Sequence, residues 1–240
     1  MEQETFEHLL YRFYNAPIAT YPYPHFHIEN IFPNDFYREI LENLPELNAY
    51  VSLSDSGAVK KGSYRERYIL PFQEPEISRM SFVQGMFWRK FALRLKSAEW
   101  IRMLLDKFDP FIRKRYGDMY DRIDFFSDLG LLRDQSGYGI GPHTDHPSRA
   151  LTLLFYCPQN SEQAHLGTSL YRHPDSQFKC KGHSHHRADQ FTKIYTAPYV
   201  PNSVFGFIKS DQSFHGVEKI GALKEERNII DFFLIGLEKT

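Results

Sequence analysis

A chain of 240 residues, 42% apolar and 25% charged, is long enough for one sizeable core, and its net charge of −1 argues against a nucleic-acid footprint or an anionic membrane surface. Its two cysteines, Cys157 and Cys180, are too few for a disulfide framework and fit a reducing compartment. The start, MEQETFEHLLYRFYNAP, has no basic n-region or long apolar run, and no window approaches about 18 apolar residues, so neither a signal peptide nor a membrane span is expected, and the cytoplasm is the expected location.

Phe6, Leu9, Leu10 and Phe13 recur at helical spacing and predict a first helix over residues 1–14, which the prolines of APIATYPYPHF end. FHIENIF alternates as a strand does. PNDFYREILENLP then reads as a helix, with Asn34 as its N-cap, Phe36, Ile40, Leu41 and Leu44 on one face, and Pro45 as its stop. Residues 50–75 are polar and glycine-dotted and read as a long loop or irregular hairpin. Within them SYRERYILPF carries Tyr64 and Arg65, candidate substrate contacts on a flap upstream of the core. From about 78 to 116 the pattern is helical again, with a second cap at Ser97 and with Pro110 expected to limit the last helix.

After residue 118 the character changes. Short apolar runs alternate with turn signals: RIDFFSDLGLLRD, RALTLLFYC, TSLYRH, KIYTAPY, SVFGFIK and NIIDFFLIGL. Such spacing suits an all-β sandwich or barrel. One domain over 1–240 is expected: a mainly β, α+β fold whose helical N-terminal part (1–117) packs on one side of a β core (118–240).

The chemistry concentrates in GYGIGPHTDHPSRALTLLFY, a glycine-rich approach that runs into an apolar strand. In extended chain, residues i and i+2 share a face, so His143 and Asp145 point together while Thr144 points away. Imidazole and carboxylate together suit a divalent metal but hold it weakly, so a third ligand is needed, and His215 in SDQSFHGVEKI is the candidate. Two histidines and a carboxylate on one face of an octahedron leave open positions, the arrangement that non-haem Fe(II) oxygenases use. Downstream, Arg227 begins the last apolar strand, where a guanidinium is costly unless paired, and a dicarboxylic co-substrate is a suitable bidentate partner.

Read together, HTD at 143–145, FHGV at 214–217, Arg227, and the Arg149, Thr152, Phe155 and Tyr156 of RALTLLFY resemble the Fe(II)- and 2-oxoglutarate-dependent dioxygenase superfamily, its prolyl-hydroxylase-like branch most. Gly167 in LGTSLY matches a later family glycine. The resemblance covers roughly residues 120–237 and implies a double-stranded β-helix, a cupin-like jelly roll. It implies that His143, Asp145 and His215 hold Fe(II), that Arg227 and Tyr156 bind the distal carboxylate of 2-oxoglutarate, and that Arg133 or Gln135 adds a co-substrate contact. The activity it implies is oxidative decarboxylation of 2-oxoglutarate by dioxygen to succinate and CO2, coupled to hydroxylation of a small-molecule or peptidyl substrate. Since Asp145 is present, halogenation, for which relatives replace the carboxylate, is the poorer reading.

Blander readings compete. His27-Ile-Glu29 and His173-Pro-Asp175 repeat the triplet spacing without the glycine approach. His146 either caps its loop or contacts substrate, and Arg149 is either a strand-edge charge or a substrate contact. His183, His185 and His186 in KCKGHSHHRADQ suggest a second metal, against the commoner outcome of a solvated lid loop. A cupin-like metal enzyme without an oxoacid, or a non-catalytic jelly-roll module, would have no use for Arg227. Neither the substrate nor the oligomeric state is legible.

Overall fold

The computed structural model describes residues 1–57, 59–182 and 184–239. In chain order the elements are α1 (Gln3–Asn15), β1 (His25–Glu29), α2 (Asn34–Glu42), β2 (Val51–Ser52), β3 (Arg67–Pro71), α3 (Phe82–Leu95), α4 (Ala98–Tyr116), β4 (Ile123–Asp134), β5 (Ile140–His143), β6 (Arg149–Tyr156), β7 (Ser169–Arg172), β8 (Thr192–Thr196), β9 (Ser203–Ile208), β10 (His215–Val217) and β11 (Arg227–Glu238), with short 3-10 turns between them. A seven-stranded sheet runs β1-β9-β6-β11-β4-β3-β2 and a four-stranded sheet β5-β10-β7-β8. Every pairing is antiparallel.

Two-residue alternation divides the large sheet's side chains between two layers. Leu151, Leu153 and Phe155 of β6 and Ile230, Phe232 and Leu234 of β11 face the helices and join one apolar cluster with them. Leu154 and Tyr156 of β6 and Ile229 of β11 face the other way, toward the small sheet, with Leu170 of β7 and Val217 of β10. The helices present the matching stripe. Trp100, Leu104, Phe108 and Ile112 of α4 are spaced by four and fully buried, and Trp100 meets Phe13 of α1 at 5.1 Å and Phe232 of β11 at 6.1 Å between ring centroids. Each such side chain taken out of water contributes about 1.5–3 kcal/mol.

Pro110 does not limit α4, which continues to Tyr116. Its own position is exposed, so water can serve the carbonyl that its missing N–H leaves free, while buried Phe108 and Ile112 hold the helix on either side. Ser97 caps α4 as expected, accepting from the Trp100 N–H at 3.2 Å. Asn34 opens α2 without making a capping bond.

The division at residue 117 fails for the strands. β1 extends the large sheet beyond β9, and β3 and β2 extend it beyond β4, so the N-terminal part supplies both of its flanks. The stretch 50–75 is the hairpin alternative: Val51 pairs with Ile69 and Ser52 with Tyr68. Cys157 and Cys180 are both buried and unbridged. Among the described residues no helix is long and apolar enough to cross a membrane.

Candidate active site

Between the two sheets lies a cavity of about 420 Å³, walled by Leu132, Leu154, Ile229 and Val217 and reaching the 50s loop at Leu53 and Val59. That size is typical of small-molecule sites. His143 is the last residue of β5 and His215 the first of β10, and antiparallel pairing sets them directly opposite one another. Their rings stand 4.3 Å apart between centroids. Asp145 follows two residues after His143, and Thr144 between them turns away to donate to the Cys180 carbonyl at 2.6 Å. One ligand atom from each of His143, Asp145 and His215 lies within 4.8 Å of the other two, the only such group of three or more among the described residues.

The groups around this triad fix its chemistry. Nδ1 of His143 donates to the Gly141 carbonyl at 2.9 Å, and Nδ1 of His215 donates to the Ser213 carbonyl at 3.0 Å. Both rings are thereby held in the tautomer that leaves Nε2 as a lone pair. Burial pushes both imidazole pKa values down, that of His143 well below the ordinary range, with His215 beside it adding to the fall. Asp145 goes the other way. Burial opposes its charge, but Arg149, His215 and His143, with the Thr152 hydroxyl, outweigh it and hold the pKa far below the usual carboxylate range. Arg149 Nη1 donates to Oδ1 at 2.7 Å and Thr152 Oγ1 to Oδ2 at 2.6 Å. Two neutral imidazoles and an ionised carboxylate are the protonation states that a divalent metal requires.

At the far end of the cavity Arg227 is fully buried. Its Nε donates to the Leu166 carbonyl at 2.6 Å and its Nη1 to Asp134 Oδ2 at 2.7 Å, while Nη2 is buried with no partner. Asp134 is also gripped by Arg67, through Nε at 2.6 Å and Nη2 at 2.8 Å. Two guanidinium groups on one carboxylate leave a net positive charge facing the cavity. Arg67 and Asp134 were not singled out from the sequence. The available signal was register, since Arg67, Asp134 and Arg227 sit directly across from one another on β3, β4 and β11.

The other expected site residues scatter. Tyr156 does not line the cavity: its ring lies beneath the Arg227 guanidinium at 5.8 Å, and its hydroxyl is engaged with the Thr168 hydroxyl and N–H. Thr168 does line the cavity, with its hydroxyl accepting from Tyr156. Gly167 allows this placement, because a Cβ at that position would lie 1.5 Å from the Ala197 carbonyl oxygen. Arg133 points out of the cavity to the helical side, where it donates to the Pro45 carbonyl and stacks on Tyr50, since neighbours along a strand take opposite faces. Gln135 reaches Glu226 instead. Arg149 lines the cavity, but its guanidinium is committed to Asp145 and lies 3.5 Å over the Phe233 ring. His146 is exposed and bonds to Ser148, capping its turn.

Arg65 lies in the turn before β3, exposed and outside the cavity lining, which Arg67 at the start of β3 joins instead. Tyr64 meets the 180s loop, its hydroxyl hydrogen-bonded to His185, whose ring stands edge-on to His143 at 4.9 Å. His186 turns into a cluster with Phe178, Phe191 and Phe214, so the two histidines diverge, and His183 lies outside the described residues. Of the other triplets, His27 lies on β1 at the edge of the large sheet, and His173 accepts from the Asp175 N–H within its own turn.

No family model and no curated relative matches the sequence. Solved structures do match. A prolyl hydroxylase from Trichoplax adhaerens, solved with a peptide fragment of the hypoxia inducible factor oxygen degradation domain, aligns over 97% of this chain and 89% of its own at 14% identity and a TM-score of 0.52. A 2OG-Fe(II) oxygenase-family oxidoreductase from Burkholderia pseudomallei aligns over 98% and 91% at 12% identity and a TM-score of 0.50. A dioxygenase for auxin oxidation from Arabidopsis thaliana, in its 2-oxoglutarate complex, aligns over 90% and 84% at 14% identity and a TM-score of 0.50. At these identities the likeness establishes the fold: the double-stranded β-helix of 2-oxoglutarate oxygenases, with helices packed on the large sheet.

Proposed function

We propose that the chain is an Fe(II)- and 2-oxoglutarate-dependent oxygenase, a hydroxylase, with His143, Asp145 and His215 as its iron ligands. The observation that carries this reading is the pairing, within one cavity, of a two-histidine, one-carboxylate triad with a buried guanidinium that has a donor to spare. The donor set suits ferrous iron and leaves coordination positions for an oxoacid and dioxygen. Iron at this site would couple the oxidative decarboxylation of 2-oxoglutarate, giving succinate and CO2, to hydroxylation of the substrate.

The protein's own share is positioning and electrostatics. The Gly141 and Ser213 carbonyls aim the two imidazoles, and Arg149 and Thr152 keep Asp145 ionised and oriented. Arg227, steadied by Asp134, receives the distal carboxylate of the co-substrate, and Thr168 adds a hydroxyl beside it. The apolar walls keep water from the bound oxoacid. The substrate enters past the 50s loop as a small molecule or as the side chain of a peptide, the latter in line with the peptide bound by the Trichoplax enzyme. A reducing, cytoplasmic setting suits both ferrous iron and the two unbridged thiols.

The experiment is anaerobic addition of Fe(II) and 2-oxoglutarate to the folded protein. A visible metal-to-ligand charge-transfer band is expected, followed by succinate on admission of air. A jelly-roll module without catalysis gives neither, and a metal enzyme that needs no oxoacid binds iron without the band.

A further inference from the structure

Six charged side chains among the described residues border the cavity: Arg67, Arg149, Arg227, Asp128, Asp145 and Asp231. Most are accounted for. Asp134 holds Arg67 and Arg227, and Arg149 is paired with Asp145. Asp128 stands exposed at the rim.

Asp231 is the exception. It is 9% exposed and sits in the inward stripe of β11 between Ile229 and Phe233, yet among the described residues its carboxylate has no side-chain hydrogen bond and no ion pair. Carboxylates at this depth are ordinarily paired. Burial raises its pKa to about 6. Asp128 adds to the rise, and Arg149 and Arg67 oppose it only in part, both being engaged with other carboxylates. In register Asp231 lies opposite Gly130 on β4 and Leu154 on β6, whereas Arg227 lies opposite Asp134. Four residues of strand separate the two by about 13 Å along β11. The cavity therefore asks for negative charge at its Arg227 end and for positive charge at Asp231.

We propose that Asp231 is a specificity-determining residue that receives a cationic group of the substrate, an ammonium or guanidinium, in the cavity that the metal triad also lines. This deepens the oxygenase reading and rests on it for the identity of the bound molecule as substrate. Asp128 at the rim would draw the same cation toward the entrance before Asp231 takes it. A substrate amine or guanidinium supplies hydrogen-bond donors beyond the one backbone N–H, its own, that Asp231 has, while the apolar neighbours Ile229, Leu154 and Phe233 accept the alkyl stem that carries it.

The test uses matched probes on the anaerobic Fe(II)–2-oxoglutarate complex: the Nα-acetyl N-methylamides of lysine, arginine, norleucine and glutamate, followed by calorimetry and by the shift of the charge-transfer band. The lysine or arginine probe is expected to bind at least about tenfold more tightly than the norleucine probe, as a charge-assisted contact should, and the glutamate probe least well. Asp231→Asn and Asp231→Ser, each checked for a cooperative thermal melt, should both abolish that preference. Equal affinity for charged and uncharged probes, no binding of either cation, or a preference that survives both variants overturns the proposal. Failure of the wild-type protein to form the charge-transfer band is a different result: it sinks the oxygenase reading, while calorimetry with the same probes on the metal-free chain still decides the charge preference.

Discussion

Arg67 and Arg227, 160 residues apart in the chain, grip the same buried carboxylate, Asp134, whose side chain is fully excluded from solvent. The shared carboxylate turns two costly buried cations into a rigid platform with one net positive charge. Asp134→Ala removes the carboxylate that, among the described residues, forms the ion pairs of both guanidinium groups, and should destabilise the fold by about 3–5 kcal/mol in chemical denaturation.

Arg227→Lys should raise the 2-oxoglutarate dissociation constant at least about tenfold, because an ammonium keeps the charge but loses the planar fork. Calorimetry with 2-oxoglutarate measures this directly. An unchanged affinity would falsify the assignment of Arg227 as the co-substrate anchor.

Thr152 does not touch the metal position, but its hydroxyl holds Asp145 Oδ2 at 2.6 Å. Thr152→Val keeps the shape and removes that bond. Metal affinity should fall about 10–100-fold, the usual consequence of losing a group that orients a ligand. Equilibrium dialysis with Mn(II), read by its electron paramagnetic resonance signal, reports the change without requiring turnover.

Asp231 gives a pH-dependent stability with an unusual sign. Its pKa of about 6 in the folded protein lies above the ordinary 3.8, so the folded state binds the proton more tightly than the unfolded chain does. Its charge therefore costs stability fully above about pH 6, progressively less between that pH and 3.8, and not at all below. Asp231→Asn should stabilise the protein by as much as about 3 kcal/mol at pH 8 and by roughly half that near pH 5. Urea midpoints at the two pH values measure this. A gain that grows on acidification contradicts the placement of Asp231. A natural sequence that tolerates such a cost at a cavity wall fits a residue kept for binding and not for stability.

Gly167 has the tightest environment of the glycines, its hypothetical Cβ being 1.5 Å from the Ala197 carbonyl oxygen. Gly167→Ala must separate the segment before β7 from the one after β8, at a cost of about 3 kcal/mol or more. It should also displace Thr168, so the residual folded fraction should bind 2-oxoglutarate more weakly. A melt equal to the wild type's would refute this.

Much of the site was legible because the glycine approach, the His143/Asp145 alternation and the apolar run after them are local features. Strand periodicity likewise gave the second half of the fold. What was missed depends on partners far along the chain. Arg67 lay in a polar stretch with no clear period, and only its pairing opposite Asp134 gives it a purpose. Arg133 was misassigned because the strand was right but the face was not, and a one-residue difference in a strand moves a side chain to the other layer. Tyr156 does lie beside Arg227, yet its hydroxyl is engaged by Thr168, a contact that sequence alone does not register. The break expected at Pro110 gave way to tertiary burial of Phe108 and Ile112, which overrides local propensity.

β11 carries Arg227 and Asp231, and it occupies the middle of the large sheet, hydrogen-bonded to β6 on one side and β4 on the other. The strand that unites the two halves of the sheet therefore follows both of them in chain order. Without it, β4 with the early hairpin and β6 with β9 and β1 are two separate ribbons with exposed inner edges. Assembly of the barrel, and with it creation of the pocket, is thus a highly non-local event that rests on one strand.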